Sequence, residues 1–140
     1  MIRKFINSDI DEVMQLWLEV NIQTHNFIEK SYWESNYDEV KQMMPEATIY
    51  VYEQDGHIQG FIGLMDNYIA GIFVSDKVQS QGIGKQLLNK VKQTYPKLTL
   101  YVYLNNERAV KFYQRENFKI HNQQIDEETG ETELLMIWER

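Results

Sequence analysis

The sequence predicts an α/β fold of the α+β kind: a mixed, mostly antiparallel central sheet of about six to seven strands flanked by helices. Two observations lead there. The hydrophobic period switches repeatedly between that of a helix and that of a strand, so the two kinds of element interleave. The strands come mostly in pairs joined by tight turns, which makes them antiparallel, while the helix between the strands at 69–75 and 98–104 lets that pair run parallel. A length of 140 residues suits one domain, residues 1–140, with one core.

Residues 2–6 (IRKFI) read as a short strand. Ser8 opens an S-x-x-D pattern, and its hydroxyl is expected to cap a helix with Asp11 in the first turn. Ile10, Val13, Met14 and Trp17 then recur on one face. The stretch 21–31 breaks this rhythm and reads as irregular; a second helix is expected from about Tyr32 to Met44, where Pro45 forbids continuation. From Thr48 the period is strand-like. TIYVYE, an Asp55-Gly56 turn, IQGFIGLM, a tight DNY connection and IAGIFVS give three antiparallel strands. A helix follows with Ile83, Leu87, Leu88, Val91 and Tyr95 on one face and Pro96 at its end. LTLYVYL (98–104) is a strand, NERAVKFYQREN (106–117) a helix, and FKIHNQQID and ETELLMIW are closing strands around EETG.

Composition narrows the function. No apolar run nears the roughly 18 residues that cross a bilayer and the amino terminus lacks a signal-peptide core, so a cytoplasmic protein without membrane association is expected. Cysteine is absent, and His25, His57 and His121 show no ligand spacing; neither thiol chemistry nor a metal is expected. A net charge of −7 argues against nucleic acid, which demands a basic surface. The charge is uneven: residues 1–70 hold four Lys/Arg against twelve Asp/Glu, residues 71–119 nine against three. An anionic ligand on the second part and a cationic partner near the first would match that split.

The basic part contains Gln79-Ser80-Gln81-Gly82-Ile83-Gly84-Lys85 between a strand and a helix. At a helix start the first amides lack partners and the macrodipole is positive. Glycines there let a phosphate approach the backbone closely. Ile83 should turn to the core and Lys85 toward the anion. The nucleotide P-loop and the dinucleotide fingerprint both fail, because Gln86 follows Lys85 and position 87 is Leu. The stretch resembles instead the acetyl-CoA pyrophosphate loop Q/R-x-x-G-x-G/A of the GCN5-related N-acetyltransferases (GNAT), matching at Gln79, Gly82 and Gly84. NERAVKFYQRENF is similar to that family's N-x-x-A-x-x-F-Y-x-x-x-G-F, matching at Asn106, Ala109, Phe112, Tyr113 and Phe118, with Asn117 in place of Gly. Asn tolerates the left-handed conformation next best, so the turn is expected to survive.

The resemblance implies a GNAT-like fold and transfer of an acetyl group from acetyl-CoA to a primary amine: a small amine, a polyamine, a protein lysine or an amino terminus. It implies Tyr113 as the acid that protonates the CoA thiolate, Asn106 as a hydrogen-bonding contact to the cofactor, and backbone amides of Phe73 and Val74 at the thioester, freed by a local bulge or splay. His25 is a candidate base or acceptor contact because its ordinary pKa lies near neutrality, with Phe27 and Trp33 as candidate walls of the amine pocket. No metal is implied, and a monomer or homodimer is expected. Two other readings stay open at this point: a non-catalytic module that responds to CoA or acetyl-CoA, and a plain nucleotide binder.

Overall fold

In a computed structural model covering residues 1–140, seven strands form one sheet. They are β1 (Ile2–Lys4), β2 (Thr48–Gln54), β3 (His57–Met65), β4 (Tyr68–Val74), β5 (Lys97–Tyr103), β6 (Lys119–Ile125) and β7 (Thr132–Glu139). Their order across the sheet is β1-β2-β3-β4-β5-β7-β6. Every neighbouring pair is antiparallel except β4 and β5. That exception is the pair expected from the helix between them.

Helices α1 (Ile10–Thr24) and α2 (Lys30–Met43) cover one face of the sheet; α3 (Ile83–Lys92) and α4 (Glu107–Arg115) cover the other. Period-two alternation supplies both cores. Val51 and Phe61 turn toward Val13, Met14 and Trp17 of α1, while Ile62 and Leu100 turn toward Leu87 and Leu88 of α3 and Tyr113 of α4. No helix is long and apolar enough to cross a membrane.

Three local expectations are corrected. Ser8 caps nothing: residues 7–9 form a single 3-10 turn, and the carboxylate of Asp9 accepts the Ile6 amide at 2.9 Å. Arg3 recruits that carboxylate with two hydrogen bonds of 2.8 and 2.9 Å, pinning β1 to the start of α1 and holding Asp9 below its usual pKa. The first helix also runs on through Thr24, because Val20 and Asn21 continue its buried face. The second starts earlier, at Lys30, and ends at Met43, leaving Pro45 in a separate 3-10 turn.

The feature that positions the site is the meeting of β4 and β5. Their ladder holds only Tyr68↔Thr99 and Ile69↔Leu100. Beyond Ile69 the strands part. The register of β3 against β4 shifts at the same point, from Leu64↔Ile69 to Gly63↔Gly71, so Ala70 is a bulge residue without a partner. Gly71 follows under tight constraint, since a Cβ there would lie 2.5 Å from the Phe73 ring.

Asn117, which stands where a glycine was expected, has φ +72°. Phe118 donates back to the Tyr113 carbonyl at 2.9 Å and closes the end of α4. Asn117→Gly should leave stability unchanged or raise it by up to about 1 kcal/mol, whereas Asn117→Val should lower it by about 1–2 kcal/mol, read as a shift of the urea midpoint.

Candidate active site

The loop leading into α3 is built to leave amides free. Ser80 and Gly82 take positive φ values of 67° and 79°, and the first helical bond is Gln86 N–H to Gly82 O. No amide from Gln79 through Lys85 donates to another group of the protein, and no side chain caps the helix. Gly82 has open space where a Cβ would stand. The loop is braced from outside: Gln79 donates its side-chain amide to the Val74 carbonyl at 3.2 Å and accepts from Arg108 at 2.7 Å, and Arg108 also reaches Ser80 Oγ at 3.4 Å. Ile83 is buried, Lys85 is exposed and lines the cleft, and Gln81 is exposed and not part of the lining. Free amides, a helix N-terminus and two cations make this end of the cleft an anion cradle that fits a diphosphate.

The parted strands continue the cleft. Ser75 donates to Gln59 of β3 at 2.8 Å, and strict alternation across Gly60↔Val74, Phe61↔Phe73 and Ile62↔Ile72 turns the Phe73 amide to β3 as well. The free pair facing the gap is therefore Ile72 and Val74, which corrects the expected pair of Phe73 and Val74. The Phe73 side chain still lines the cleft, stacked on Phe61 at 4.8 Å.

Asn106 and Tyr113 both line the cleft from α4. Asn106 caps that helix, its carbonyl accepting the Ala109 amide at 3.3 Å. Tyr113 is buried against Phe112 and Phe118, so it is a core aromatic and a cleft residue at once. Its hydroxyl makes no hydrogen bond within the protein. Burial, with a smaller contribution from Tyr68 across the gap, pushes its pKa up from 10, so the phenol keeps its proton.

His25 is the residue whose expected role changes. It stacks on Trp33 at 5.3 Å and meets Phe27 and Tyr103 edge-on. Nδ1 faces Asn21 Oδ1 at 3.1 Å and Nε2 faces the Asn106 amide at 3.2 Å, an arrangement satisfied when Nδ1 carries the proton and Nε2 accepts. Burial lowers its pKa to about 4. A ring that is this hard to protonate, with its lone pair engaged, is a poor base and a good spacer. Trp33 lines the cleft, while Phe27 sits behind His25 without reaching it. The side-chain amide of Asn21 and the indole N–H of Trp33 are buried without an acceptor.

Together these residues bound one cleft of about 1320 Å³ running from the α3 loop, through the gap, to the tyrosines of β4 and β5. The sequence reading had not singled out Arg108, Asn21, Ile72 or those tyrosines. Arg108 was legible as a cation in the first turn of a helix; the others depend on pairing and register. No group of His, Cys, Asp and Glu in the protein could hold a metal.

The sequence profile described as "Acetyltransferase (GNAT) domain" matches residues 19–139. The chain belongs to the GNAT acetyltransferase family. It is 35% identical over 140 residues to the peptidyl-lysine N-acetyltransferase YiaC of Escherichia coli, covering 99% of this chain and 96% of that one. To the peptidyl-lysine N-acetyltransferase YjaB of the same organism it is 28% identical, over 96% and 92% of the two chains. Its fold superposes on the solution structure of apo YjaB with a TM-score of 0.86, at 26% identity over 99% and 96% of the chains. It also superposes on the PaiA N-acetyltransferase of Thermoplasma acidophilum, solved with coenzyme A, with a TM-score of 0.84 at 19% identity over 100% and 98%. This acetyltransferase thus has the mixed, mostly antiparallel GNAT sheet that its sequence predicts.

The low pKa of His25 makes stability depend on pH. Between pH 6.5 and about 4 the unfolded chain takes up a proton that the folded imidazole refuses, so stability falls as the pH drops through that window. At 1.36 kcal/mol per unit the loss is about 2–3 kcal/mol. Urea unfolding at pH 7 and pH 4.5 should show His25→Gln losing less than the parent by about that amount.

Proposed function

We propose that this acetyltransferase moves the acetyl group of acetyl-CoA onto the side-chain amine of protein lysines, with Tyr113 as the general acid. The observation that carries this reading is the row of unpartnered amides at the α3 loop, continuous with the gap between β4 and β5. The names of the relatives, both peptidyl-lysine N-acetyltransferases, support the lysine side chain over a small amine or a polyamine.

In this reading the amides from Gln79 to Lys85 hold the diphosphate, with Lys85 and Arg108 adding charge. The Ile72 and Val74 amides extend the gap edge of β4 as ladder-like donors, one for the pantetheine arm and one for the thioester carbonyl. A donor already aimed at that oxygen stabilises the charge that grows on it as the amine nitrogen attacks. The C–N bond forms, the C–S bond breaks, and Tyr113 gives its proton to the departing sulfur. Burial that raises the phenol pKa acts likewise on the thiolate, making it a stronger base, so the transfer remains feasible. Asn106 positions the start of α4 and has one amide hydrogen left for the cofactor arm. His25, held between Asn21 and Asn106, is assigned to the wall of the acceptor end.

The test is acetyl-CoA turnover with lysine peptides, free amines and peptide amino termini. Turnover stimulated by lysine peptides is expected; slow hydrolysis with no acceptor dependence would instead indicate a CoA-responsive binding module. Tyr113→Phe should lower kcat by about 10²-fold or more while leaving CoA affinity within about twofold; unchanged turnover removes Tyr113 from the acid role. Gly82→Val forces a β-branched residue to φ +79° and sets a side chain in the cradle, so calorimetry should show CoA binding weakened by at least about tenfold.

A further inference from the structure

On the α1 side, the sheet is covered only in part. α1 packs chiefly on β3 and β4, and from the helical side the end of α1 reaches β5 at Tyr103, where His25 meets the ring. Alternation places Tyr68, Tyr101, Tyr103 and Glu133 together on this uncovered face, because their neighbours Ile69, Leu100, Val102 and Leu134 turn into the opposite core. Tyr68 and Tyr101 lie 6.3 Å apart, and Tyr101 is 37% exposed. Glu133 is the cross-strand partner of Tyr103. All four line the cleft.

Glu133 is a carboxylate without a counter-charge. It takes part in none of the ion pairs of the protein, and its one hydrogen bond is from the neutral amide of Gln124, to Oε1, at 2.7 Å. Its field is felt by Tyr68, whose pKa is raised by burial first and by Glu133 next. The other two carboxylates that line the cleft, Asp76 and Glu116, flank α3 and α4, at the end of the α3 loop. Asp126 and Glu128 also stand near the tyrosine-walled end, but each accepts a tyrosine hydroxyl and neither lines the cleft, which leaves Glu133 as the carboxylate that borders it there. Apolar ring faces with one free negative charge at their border suit a long alkyl chain ending in a cation: the methylenes lie on the rings and the charged head meets the carboxylate.

We infer that Glu133, with Tyr68 and Tyr101 as the walls, is the residue that selects a cationic alkyl amine as the acyl acceptor and holds its head at the mouth of the gap. This rests on the acetyl-transfer reading and adds the residue that sets acceptor choice. The ammonium group is bound in its charged form and must give one proton to solvent before it attacks. Once the C–N bond forms, the nitrogen is acidic and passes its second proton to Glu133, which releases it to solvent; the thiolate receives a proton from Tyr113, which regains one from solvent, so that one proton is released per turnover.

The experiment compares the parent with Glu133→Gln and Glu133→Lys, using acetyl-CoA and a lysine peptide at low and high salt. Glu133→Gln should raise KM for the peptide about tenfold, with KM for acetyl-CoA within about twofold, and Glu133→Lys should raise it further. In the parent that KM should climb with salt, and in Glu133→Gln it should climb less steeply. An unchanged peptide KM in Glu133→Gln, or equal salt dependence in the two proteins, overturns the assignment. If the parent itself shows no amine-dependent turnover, the acetyl-transfer reading fails first and the assignment falls with it. CoA affinity equal to that of the parent shows that the variants are folded; should Glu133→Gln not fold, Tyr101→Leu must raise the peptide KM without altering the acetyl-CoA KM, and failure to do so is equally decisive against the site.

Discussion

The molecule depends on two strands that start as neighbours and then separate. After Ile69↔Leu100 no ladder bond joins β4 to β5, and unmade ladder bonds leave strong polar groups that need partners elsewhere. Each strand tolerates the loss because it is secured along its other edge. β5 pairs with β7 over its whole length, from Lys97↔Glu139 to Tyr103↔Glu133, and β4 remains bonded to β3 from Gly71 to Val74. The bulge at Ala70 resets which amides face the gap, so that Ile72 and Val74 are left open. Gln79 then occupies the Val74 carbonyl, and the same side chain ties the loop before α3 to the end of β4. The free amides of the loop and of the strand thereby lie along one path.

The gap also allows contact between helices that belong to opposite faces of the sheet. α1 and α4 would otherwise be separated by the sheet, yet Asn21, His25 and Asn106 form a continuous polar chain from the end of one to the cap of the other. Each link has a donor and an acceptor only while His25 is neutral. A second proton on the ring would set an N–H against the Asn106 amide, two donors facing each other at 3.2 Å. Desolvation already opposes that proton, so burial and hydrogen bonding favour the same state. The imidazole links the end of α1 to the cap of α4.

Much of this was legible before any coordinates, for reasons that differ by residue. The strands and their turns follow from alternation and from Asp55-Gly56, whose φ values of 56° and 77° suit a tight hairpin. Gly82 was legible because its conformation is a property of the backbone, and Asn117 because few other residues accept its φ. Phe73 was misjudged because the direction of an amide depends on the register of the neighbouring strand, which a bulge shifts by one residue. The neutral state of His25 was not legible because its ordinary pKa describes an imidazole in water, and nothing local reveals that Trp33, Phe27 and Tyr103 remove that water. Ser8 lost its cap to Asp9 because Arg3, on a different element, offered the carboxylate a better bond.

The charge split shows the same dependence on topology. Counting along the chain suggested that a cationic acceptor would meet the acidic first half. The fold brings acid to the acceptor end from a different segment: the β6–β7 turn folds against the start of α2, where Glu128 accepts from Tyr32 at 2.7 Å, and Asp126 accepts from Tyr103 at 2.7 Å. With Lys85 and Arg108 at the opposite end, the cleft has a positive mouth and a negative one. Within a Debye length of about 8–10 Å such a split would draw the proposed anionic cofactor and cationic acceptor to different ends of the cleft. In the proposed reaction, two reactants of opposite charge drawn to opposite ends of this one cleft would meet where β4 and β5 part, beside the open amides of Ile72 and Val74 and with Tyr113 in the same lining.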